Sequence, residues 1–302
     1  MRIRKPGKIT DHLWYLGREE SGVYLLEGKD TSMIISGGVS CIVPDLLRQF
    51  KEFGIEESKI GKLLILHAHF DHVGIVPFLK RRHPELEVLA SERGWQILSM
   101  PRAIETINTF STFASEMFNV ADDLSSYDLE WREDITGSAV SETDRIELGG
   151  VTASVIETPG HSSCSISAYV PELKALFASD GGGIPFRNEI ITSGNSNYTQ
   201  YQQSLEKLRF LDVEFICADH YGYVTGEEAR NYIDAAIDAA RKFRALMESV
   251  YKRKGSVDDA VKELVDNTIK TRPDYFLPRE ILTGVYNQMV KHIAKSLDNG
   301  VS

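Results

Sequence analysis

Four potential metal ligands lie within six residues of one another, in the run His67-Ala68-His69-Phe70-Asp71-His72. Clustered imidazole and carboxylate side chains are typical ligands of zinc and iron in proteins. The chain has 8 histidines in 302 residues, so chance alone would very rarely place three of them within six positions. The cluster predicts a metal site rather than isolated core or surface histidines.

The run directly follows an apolar stretch, Leu63-Leu64-Ile65-Leu66, which predicts a strand buried on both faces. Gly74 and Pro77 then lead into a predicted helix over residues 75–82, since proline is tolerated in a first helical turn. The four ligands are therefore expected in the loop between a strand end and a helix start.

Three further apolar runs, over residues 151–157, 175–179 and 213–218, are predicted strands. They lead to His161 beyond a Pro-Gly turn, to Asp180 before three glycines, and to His220. Taken alone, each residue also has a purely structural interpretation. His161 could stabilise its own loop, Asp180 could cap a turn, and His220 could be a surface residue. Their joint occurrence after the first cluster favours one shared site.

The full order, H-x-H-x-D-H followed by His, Asp and His, resembles the metallo-β-lactamase superfamily of binuclear metallohydrolases. This resemblance implies an α/β fold, the αββα sandwich of that family. It implies two divalent ions, zinc or iron with manganese also compatible. Their ligands would be His67, His69 and His161 for one ion, Asp71, His72 and His220 for the other, and Asp180 between them.

Residues 13–17, 23–28 and 33–37 predict a meander of strands that fits this fold. Family members usually carry an aspartate in the turn where this chain has Ser36-Gly37-Gly38. That aspartate supports the site from outside the ligand shell, so we expect its absence to loosen one ligand loop.

Within the superfamily the chain is most similar to the quinolone-signal-response thioesterases, which cleave aminobenzoylacetyl-CoA. The similarity covers Ala90-Ser91-Glu92-Arg93, the Gly37-Gly38 turn, Phe276-Leu277-Pro278 and a helical tail of similar length. Leu282 and Val285 stand where that branch has a histidine and a serine in its pocket. We therefore expect a more apolar pocket here.

Two divalent ions a few Å apart lower the pKa of water and polarise a carbonyl, which favours hydrolysis of an ester, thioester or lactone. In the family arrangement Asp71 holds the nucleophile and shuttles its proton. Tyr221 follows His220 where relatives usually have glycine, and it is a candidate donor to the oxyanion or leaving group. A packed aromatic is the more common role for such a residue.

The prediction is thus a metal-dependent hydrolase of an acyl thioester or related ester. Hydrolysis of an acyl-lactone or a phosphoester is an alternative, because these substrates suit the same ions. A regulatory protein that binds a partner through its helical tail is the other alternative.

The chain is divided into a catalytic domain over residues 1–225 and a helical extension over 226–302, packed on the same domain. Thr225 and Glu228 predict a capping box at the start of the extension. Ser256 and Pro278 predict the starts of two further helices. Aromatic-rich residues 100–133 predict one or two helices, either a lid over an apolar substrate or an ordinary packed insertion.

The net charge of −10 and the lack of a basic block argue against nucleic acid as a partner. No apolar run suits a signal peptide or a bilayer crossing, and the 3 scattered cysteines suit a reducing compartment. We expect a cytoplasmic protein that acts on a small acyl substrate such as a CoA thioester. A homodimer is compatible with the sequence.

Overall fold

The computed structural model describes residues 1–298, in which two β-sheets pack face to face between two layers of helices. The strands are β1 (Arg2–Ile3), β2 (Gly7–Thr10), β3 (Leu13–Gly17), β4 (Gly22–Glu27), β5 (Ser32–Ile35), β6 (Ile60–Leu64), β7 (Glu87–Ser91), β8 (Ser138–Val140), β9 (Arg145–Glu147), β10 (Thr152–Glu157), β11 (Ile166–Val170), β12 (Ala175–Phe177), β13 (Ile184–Phe186), β14 (Glu189–Ile191), β15 (Phe215–Cys217) and β16 (Tyr223–Thr225). The helices are α1 (Val43–Phe53), α2 (Val76–Arg82), α3 (Glu92–Leu98), α4 (Pro101–Met117), α5 (Ala121–Leu124), α6 (Tyr198–Leu208), α7 (Glu227–Arg230), α8 (Tyr232–Lys254), α9 (Val257–Thr271) and α10 (Arg279–Asp298). Short 3-10 helices cover Ser40–Ile42, Glu57–Lys59, Phe70–His72 and Ser179–Gly182. Within residues 1–298, none of the helices has the length and apolarity that a bilayer crossing requires.

The first sheet has the order β2-β3-β4-β5-β6-β7-β8, antiparallel from β2 to β5 and parallel from β5 to β8. The second has the order β1-β16-β15-β12-β11-β10-β9, in which only the β12–β15 pair is parallel among the strands described. A separate hairpin joins β13 and β14. This is the expected αββα sandwich, and that prediction is confirmed.

Both faces of each sheet are covered, which is why the strands are apolar along most of their length. In β4, every residue from Gly22 to Leu26 is buried. The core between the sheets contains Tyr24, Leu64 and Phe177, while separate cores lie under the outer helices. Full burial of one such side chain stabilises the fold by roughly 1.5–3 kcal/mol.

The helices of the extension, α8 to α10, pack on the outer face of the second sheet. Their core includes Ile216 and Val224 of that sheet together with Ile237 and Met289 of the helices. One apolar core therefore joins the extension to the sheet that carries His220.

Helices α4 and α5 fall within the aromatic-rich segment, as predicted, and Ser256 caps α9 by accepting a hydrogen bond from the Asp259 amide. The capping box at Thr225 is wrong. Thr225 is the last residue of β16, where it pairs with Phe215, and the short α7 starts after Gly226 with no side-chain cap. Strand pairing outweighs the local capping signal there.

Candidate metal centre

Strand ends bring the predicted ligands to one edge of the sandwich. The chain leaves β6 at Leu64, and His72 then closes a 3-10 turn in which its amide donates to the His69 carbonyl at 3.0 Å. The other three ligands follow β10, β12 and β15 of the facing sheet. The ligands are thus held by four strands of the two packed sheets.

Three histidines form the first group. The Nδ1 atom of His69 lies 3.1 Å from Nε2 of His67 and 3.0 Å from Nε2 of His161. All three donor atoms lie within 4.8 Å of one another. Such a set of imidazole nitrogens is suited to a divalent metal ion.

Asp71, His72 and His220 form the second group, again with donor atoms within 4.8 Å of one another. The Nε2 atoms of the two histidines are 3.3 Å apart, and each lies 3.6 Å from Oδ2 of Asp71. The structure brings these residues together in the two groups that the resemblance implies, and a third set of donor atoms, from His67, His72 and Asp180, lies across them.

Asp180 lies between the two groups. Its Oδ2 is 3.5 Å from Nε2 of both His72 and His161, and its Oδ1 is 3.6 Å from Nε2 of His220. Oδ1 is buried and has no hydrogen-bond partner within residues 1–298. A buried, unpartnered carboxylate oxygen is costly unless a cation satisfies it, so the site fits a metal.

The outer nitrogens of His161 and His220 are anchored, which fixes their inner nitrogens toward the shared centre. Nδ1 of His161 donates to the Ser193 carbonyl at 2.7 Å, and Nδ1 of His220 donates to the Glu20 carbonyl at 2.5 Å. Because a carbonyl only accepts, both Nδ1 atoms carry the proton, and each Nε2 presents a lone pair.

His72 is anchored by a carboxylate that sequence reasoning did not assign. Its Nδ1 donates to Oδ2 of Asp219 at 2.8 Å, and the Ser179 hydroxyl donates to the same oxygen. Ser179 also lies 3.2 Å from Nδ1 of His67, so one buried pair connects both ligand groups. The position of Asp219 beside His220 at a strand end was the available signal.

Burial sets the protonation of the first group. Burial, followed by the neighbouring imidazoles, lowers the pKa of His67 well below its usual value and that of His69 to about 3. Burial opposes ionisation of Asp180, yet His72 and His220 hold the pKa of that carboxyl well below its usual range. Burial thus favours neutral imidazoles at His67 and His69. Burial also opposes protonation of His72, yet Asp71 and Asp180 hold its pKa well above the usual value in the metal-free protein.

The turn that lacks the family aspartate is bonded to the ligand loop through its backbone, and the expected loosening of that loop stays a prediction. The Gly37 amide donates to the His72 carbonyl at 2.9 Å, and the Gly74 amide donates to the Gly38 carbonyl at 2.7 Å. A Cβ atom at Gly37 would lie 2.5 Å from that His72 carbonyl oxygen, so glycine permits this close approach.

The open side of the centre is a narrow space of about 30 Å³ that touches Asp71 and His220. Phe113 and Met117 of α4 cover it from one side, and the segment 276–281 covers it from the other. Helix α4 also contacts the 3-10 turn of Phe70–His72. Of the two predicted roles for this aromatic segment, the lid is the one that this position favours.

Tyr221 is 4% exposed and adopts a left-handed backbone conformation, with φ of 62°. Its hydroxyl accepts a hydrogen bond from the Phe276 amide at 3.2 Å, and the Phe276 ring stacks on His220 with centroids 4.4 Å apart. The structure thus places Tyr221 behind Phe276, where it orients the segment over the ligands. Its predicted role as a donor to the oxyanion stays a prediction.

The sequence profile of the Metallo-beta-lactamase superfamily matches residues 16–220, which include all seven candidate ligands. The match covers more than half of the chain and agrees with the fold and with the ligand order. This protein belongs to the metallo-beta-lactamase superfamily.

A metallo-beta-lactamase fold-containing protein of Sulfurisphaera tokodaii is 24% identical over 211 residues, which are 68% of this chain and 75% of that protein. An atrochrysone carboxyl ACP thioesterase of Aspergillus fumigatus is 23% identical over 67% of this chain and 52% of its own length. A hydroxyacylglutathione hydrolase of Rhodopseudomonas palustris is 28% identical over 55% of this chain and 51% of its own. The last two matches therefore span only about half of those proteins.

Among solved structures, a metallo-beta-lactamase family protein from Thermus thermophilus superposes with a TM-score of 0.69 at 15% identity. The superposition covers 97% of this chain and 95% of that protein, so it includes the helical extension. At this identity the likeness concerns the fold. Superfamily members are generally hydrolases, and the His and Asp groups described above are suited to a divalent metal.

Proposed function

We propose that this protein is a binuclear metal-dependent hydrolase that cleaves an acyl thioester or a related ester. The observation that carries the proposal is the pairing of seven converging donor atoms with an apolar, cation-free opening. The names of two relatives, a thioesterase and a hydroxyacylglutathione hydrolase, support the same class of reaction.

The side chains around the opening argue for a carbonyl substrate. They are mostly aromatic and aliphatic, with Phe70, Phe113, Phe276 and Ile281 among them, and none of those described within residues 1–298 is lysine or arginine. A phosphoester carries negative charge that proteins usually bind with such cations. A neutral thioester or ester carbonyl needs no cation, so the lining favours an acyl substrate.

Each ion would have three ligands of its own and would share Asp180. His67, His69 and His161 would hold one ion, and Asp71, His72 and His220 would hold the other. Zinc, iron and manganese all suit this donor set. Such ions, when bound, lower the pKa of water and polarise a substrate carbonyl.

Asp71 is the ligand best placed to handle a proton, because it is part-buried and lines the opening. It would hold the water nucleophile by accepting its proton, and the anchored histidines would keep the centre rigid. A thiolate leaves without much help from an acid. This suits an opening in which the Tyr221 hydroxyl is already paired with Phe276.

Metal analysis joined to a substrate panel tests the proposal. Protein purified gently and repleted with Zn²⁺ or Fe²⁺ is expected to hold about two ions per chain and to hydrolyse acyl-CoA thioesters. The panel includes acyl-lactones and aryl phosphoesters at matched concentrations. Fewer than about one ion per chain after repletion would refute the binuclear site, and activity on phosphoesters alone would refute the acyl substrate.

Asp71→Asn is the matched variant for this assay, because it keeps the size of the side chain and removes its basic oxygen. We expect its hydrolytic rate to fall at least about a hundredfold, as is usual for a general base. A metal content close to that of the wild type would assign the loss to proton handling and not to an empty site.

A further inference from the structure

Ser179 directly precedes Asp180, and its backbone has a left-handed conformation with φ of 48°. This conformation is unfavourable for a residue with a Cβ atom, and it persists only where the surrounding structure holds it. Ser179 is 4% exposed, so its side chain lies inside the protein. The contacts of its hydroxyl group indicate why a serine stands at a position that suits glycine.

The hydroxyl group lies among three side chains of the metal centre. Its oxygen is 3.2 Å from Nδ1 of His67 and 3.4 Å from Nδ1 of His72, and it bonds to Oδ2 of Asp219. The rings of His67 and His72 are themselves adjacent, with centroids 4.1 Å apart. One hydroxyl group thus lies beside a histidine of each ligand group.

The chemistry of these partners fixes the direction of the hydrogen bonds. A carboxylate only accepts, so Ser179 donates its proton to Asp219. The hydroxyl oxygen can then accept from Nδ1 of His67, because Nε2 of that ring points to His69. Nδ1 of His72 donates directly to the same Asp219 oxygen at 2.8 Å. The two ligand groups therefore share one carboxylate oxygen, and Ser179 is the link from His67 to it.

The carboxylate of Asp219 depends on these two donors. Its other oxygen, Oδ1, is buried and has no hydrogen-bond partner among the residues that the structure describes. Only Oδ2 is held, by Ser179 and His72. An imidazole that coordinates a cation is a stronger donor, so occupation of either group strengthens the bonds at this oxygen. Loss of the Ser179 hydroxyl would leave His72 alone to orient the carboxylate.

We propose that Ser179 is a positioning residue for both ions, because its hydroxyl group holds His67 directly and holds His72 through Asp219. This role rests on the proposed binuclear centre. The hydroxyl group accounts for a serine in a backbone conformation that suits glycine. Ser179 thereby sets the affinity of both ion sites while it lies outside the set of seven ligands.

Stepwise competition of Zn²⁺ with a chelator measures this effect in the full chain. Ser179→Ala is expected to weaken the ion of the first group about 10- to 100-fold, as is usual when a ligand loses its outer partner. The ion of the second group should weaken by about threefold or more, because Asp219 loses one of two donors. Ser179→Gly should give the same losses although it relieves the backbone, which separates the hydroxyl group from the strain. Wild-type affinity for both ions in either folded variant would overturn the proposal.

A double-mutant cycle tests whether the effect on the second group passes through Asp219. Cadmium NMR follows the two ions separately, and His220→Ala, which removes a ligand of the second group alone, assigns the resonances. In the Asp219→Ala background, Ser179→Ala should weaken the first ion as before but weaken the second ion less than in the wild type. Equal weakening of the second ion in the two backgrounds would overturn the path through the carboxylate.

The proton on His67 gives a readout that needs no metal. Nitrogen NMR of the metal-free protein at neutral pH should show this proton on Nδ1 in the wild type and on both nitrogens, as a mixture of tautomers, in Ser179→Ala. Ser115→Ala is the matched control, because Ser115 is also buried and donates to the Thr112 carbonyl of α4. This control should change neither the tautomer nor the metal affinity.

The same measurements separate this inference from the proposed function. A wild type that binds two ions, beside a Ser179→Ala variant with unchanged affinities and an unchanged His67 tautomer, would overturn the role of Ser179 and leave the binuclear centre intact. A repleted wild type without bound metal would overturn the binuclear centre and the role of Ser179 together, whatever the tautomer of His67.

Discussion

Replacement of Asp219 by alanine is expected to weaken metal binding by the group that contains His72. Asp219 is 2% exposed, and its Oδ2 accepts from His72 Nδ1 at 2.8 Å and from the Ser179 hydroxyl. The variant leaves both donors buried without this acceptor. The His72 ring is then free to change its orientation, so Nε2 is no longer held toward the other ligands of its group.

Loss of such an outer partner of a ligand typically costs 10- to 100-fold in metal affinity. At about 1.36 kcal/mol per tenfold change, this is roughly 1.4–2.7 kcal/mol. The metal-free protein should lose stability as well, because each buried donor without a partner costs about 1–3 kcal/mol. The metal affinity and stability of Asp219→Asn should lie between those of the wild type and Asp219→Ala, because its amide oxygen can still accept a hydrogen bond from His72.

A competition titration of Zn²⁺ against a chelator measures the affinities, and chemical denaturation of the metal-free protein measures the free energy of unfolding. Asp11→Ala is the matched control, because its carboxylate side chain is 93% exposed and far from any ligand in sequence. Binding of both ions by folded Asp219→Ala with wild-type affinity would refute the role given to this carboxylate.

Further changes test other parts of the structure. Tyr221→Phe should lower the hydrolytic rate less than about tenfold, because the hydroxyl only accepts a hydrogen bond from the Phe276 amide. A loss above a hundredfold would instead indicate that the hydroxyl takes part in catalysis. Gly74→Ala should destabilise the fold by about 1–3 kcal/mol in thermal unfolding, since its Cβ would lie 2.2 Å from the Ser40 amide nitrogen. Gly284→Ala, in an open helical position, should instead stabilise the fold by about 0.5–1 kcal/mol. Equal changes of stability in the two variants would contradict the close packing described at Gly74. Asp71→Ala, introduced into cells, should abolish a phenotype that depends on hydrolysis, whereas an unchanged phenotype would favour partner binding.

The strands that carry the ligands were predictable, because apolar runs of four to seven residues that end in polar or turn-forming residues are local signals. The ligands were predictable as well, because imidazole and carboxylate side chains are typical metal ligands. They occur in the run at 67–72 and again at His161, Asp180 and His220. The capping box at Thr225 was wrongly predicted because it, too, is a local signal. It does not take account of Phe215, the strand partner of Thr225, which lies ten residues away.

The anchors of the histidines were not predictable in the same way. The Ser193 and Glu20 acceptors are backbone carbonyls, which every residue has, so their identity carries no signal. Asp219 has a suggestive side chain, but only the folded structure shows that it meets His72, which lies 147 residues away in the sequence. The cavity between the β13–β14 hairpin and helices α8, α9 and α10 likewise depends on how these elements meet.

Strand β1 pairs with β16, so that Arg2 lies opposite Val224. During synthesis β1 cannot pair until more than two hundred further residues, up to β16, have been made. Contacts of such high sequence separation form late and slow the folding of a domain. The loop of His220 precedes β16 directly, so the last ligand reaches its place at about the time when this edge strand is paired. A nascent chain shorter than this can bury much of its first sheet, yet it cannot assemble the complete set of seven ligands.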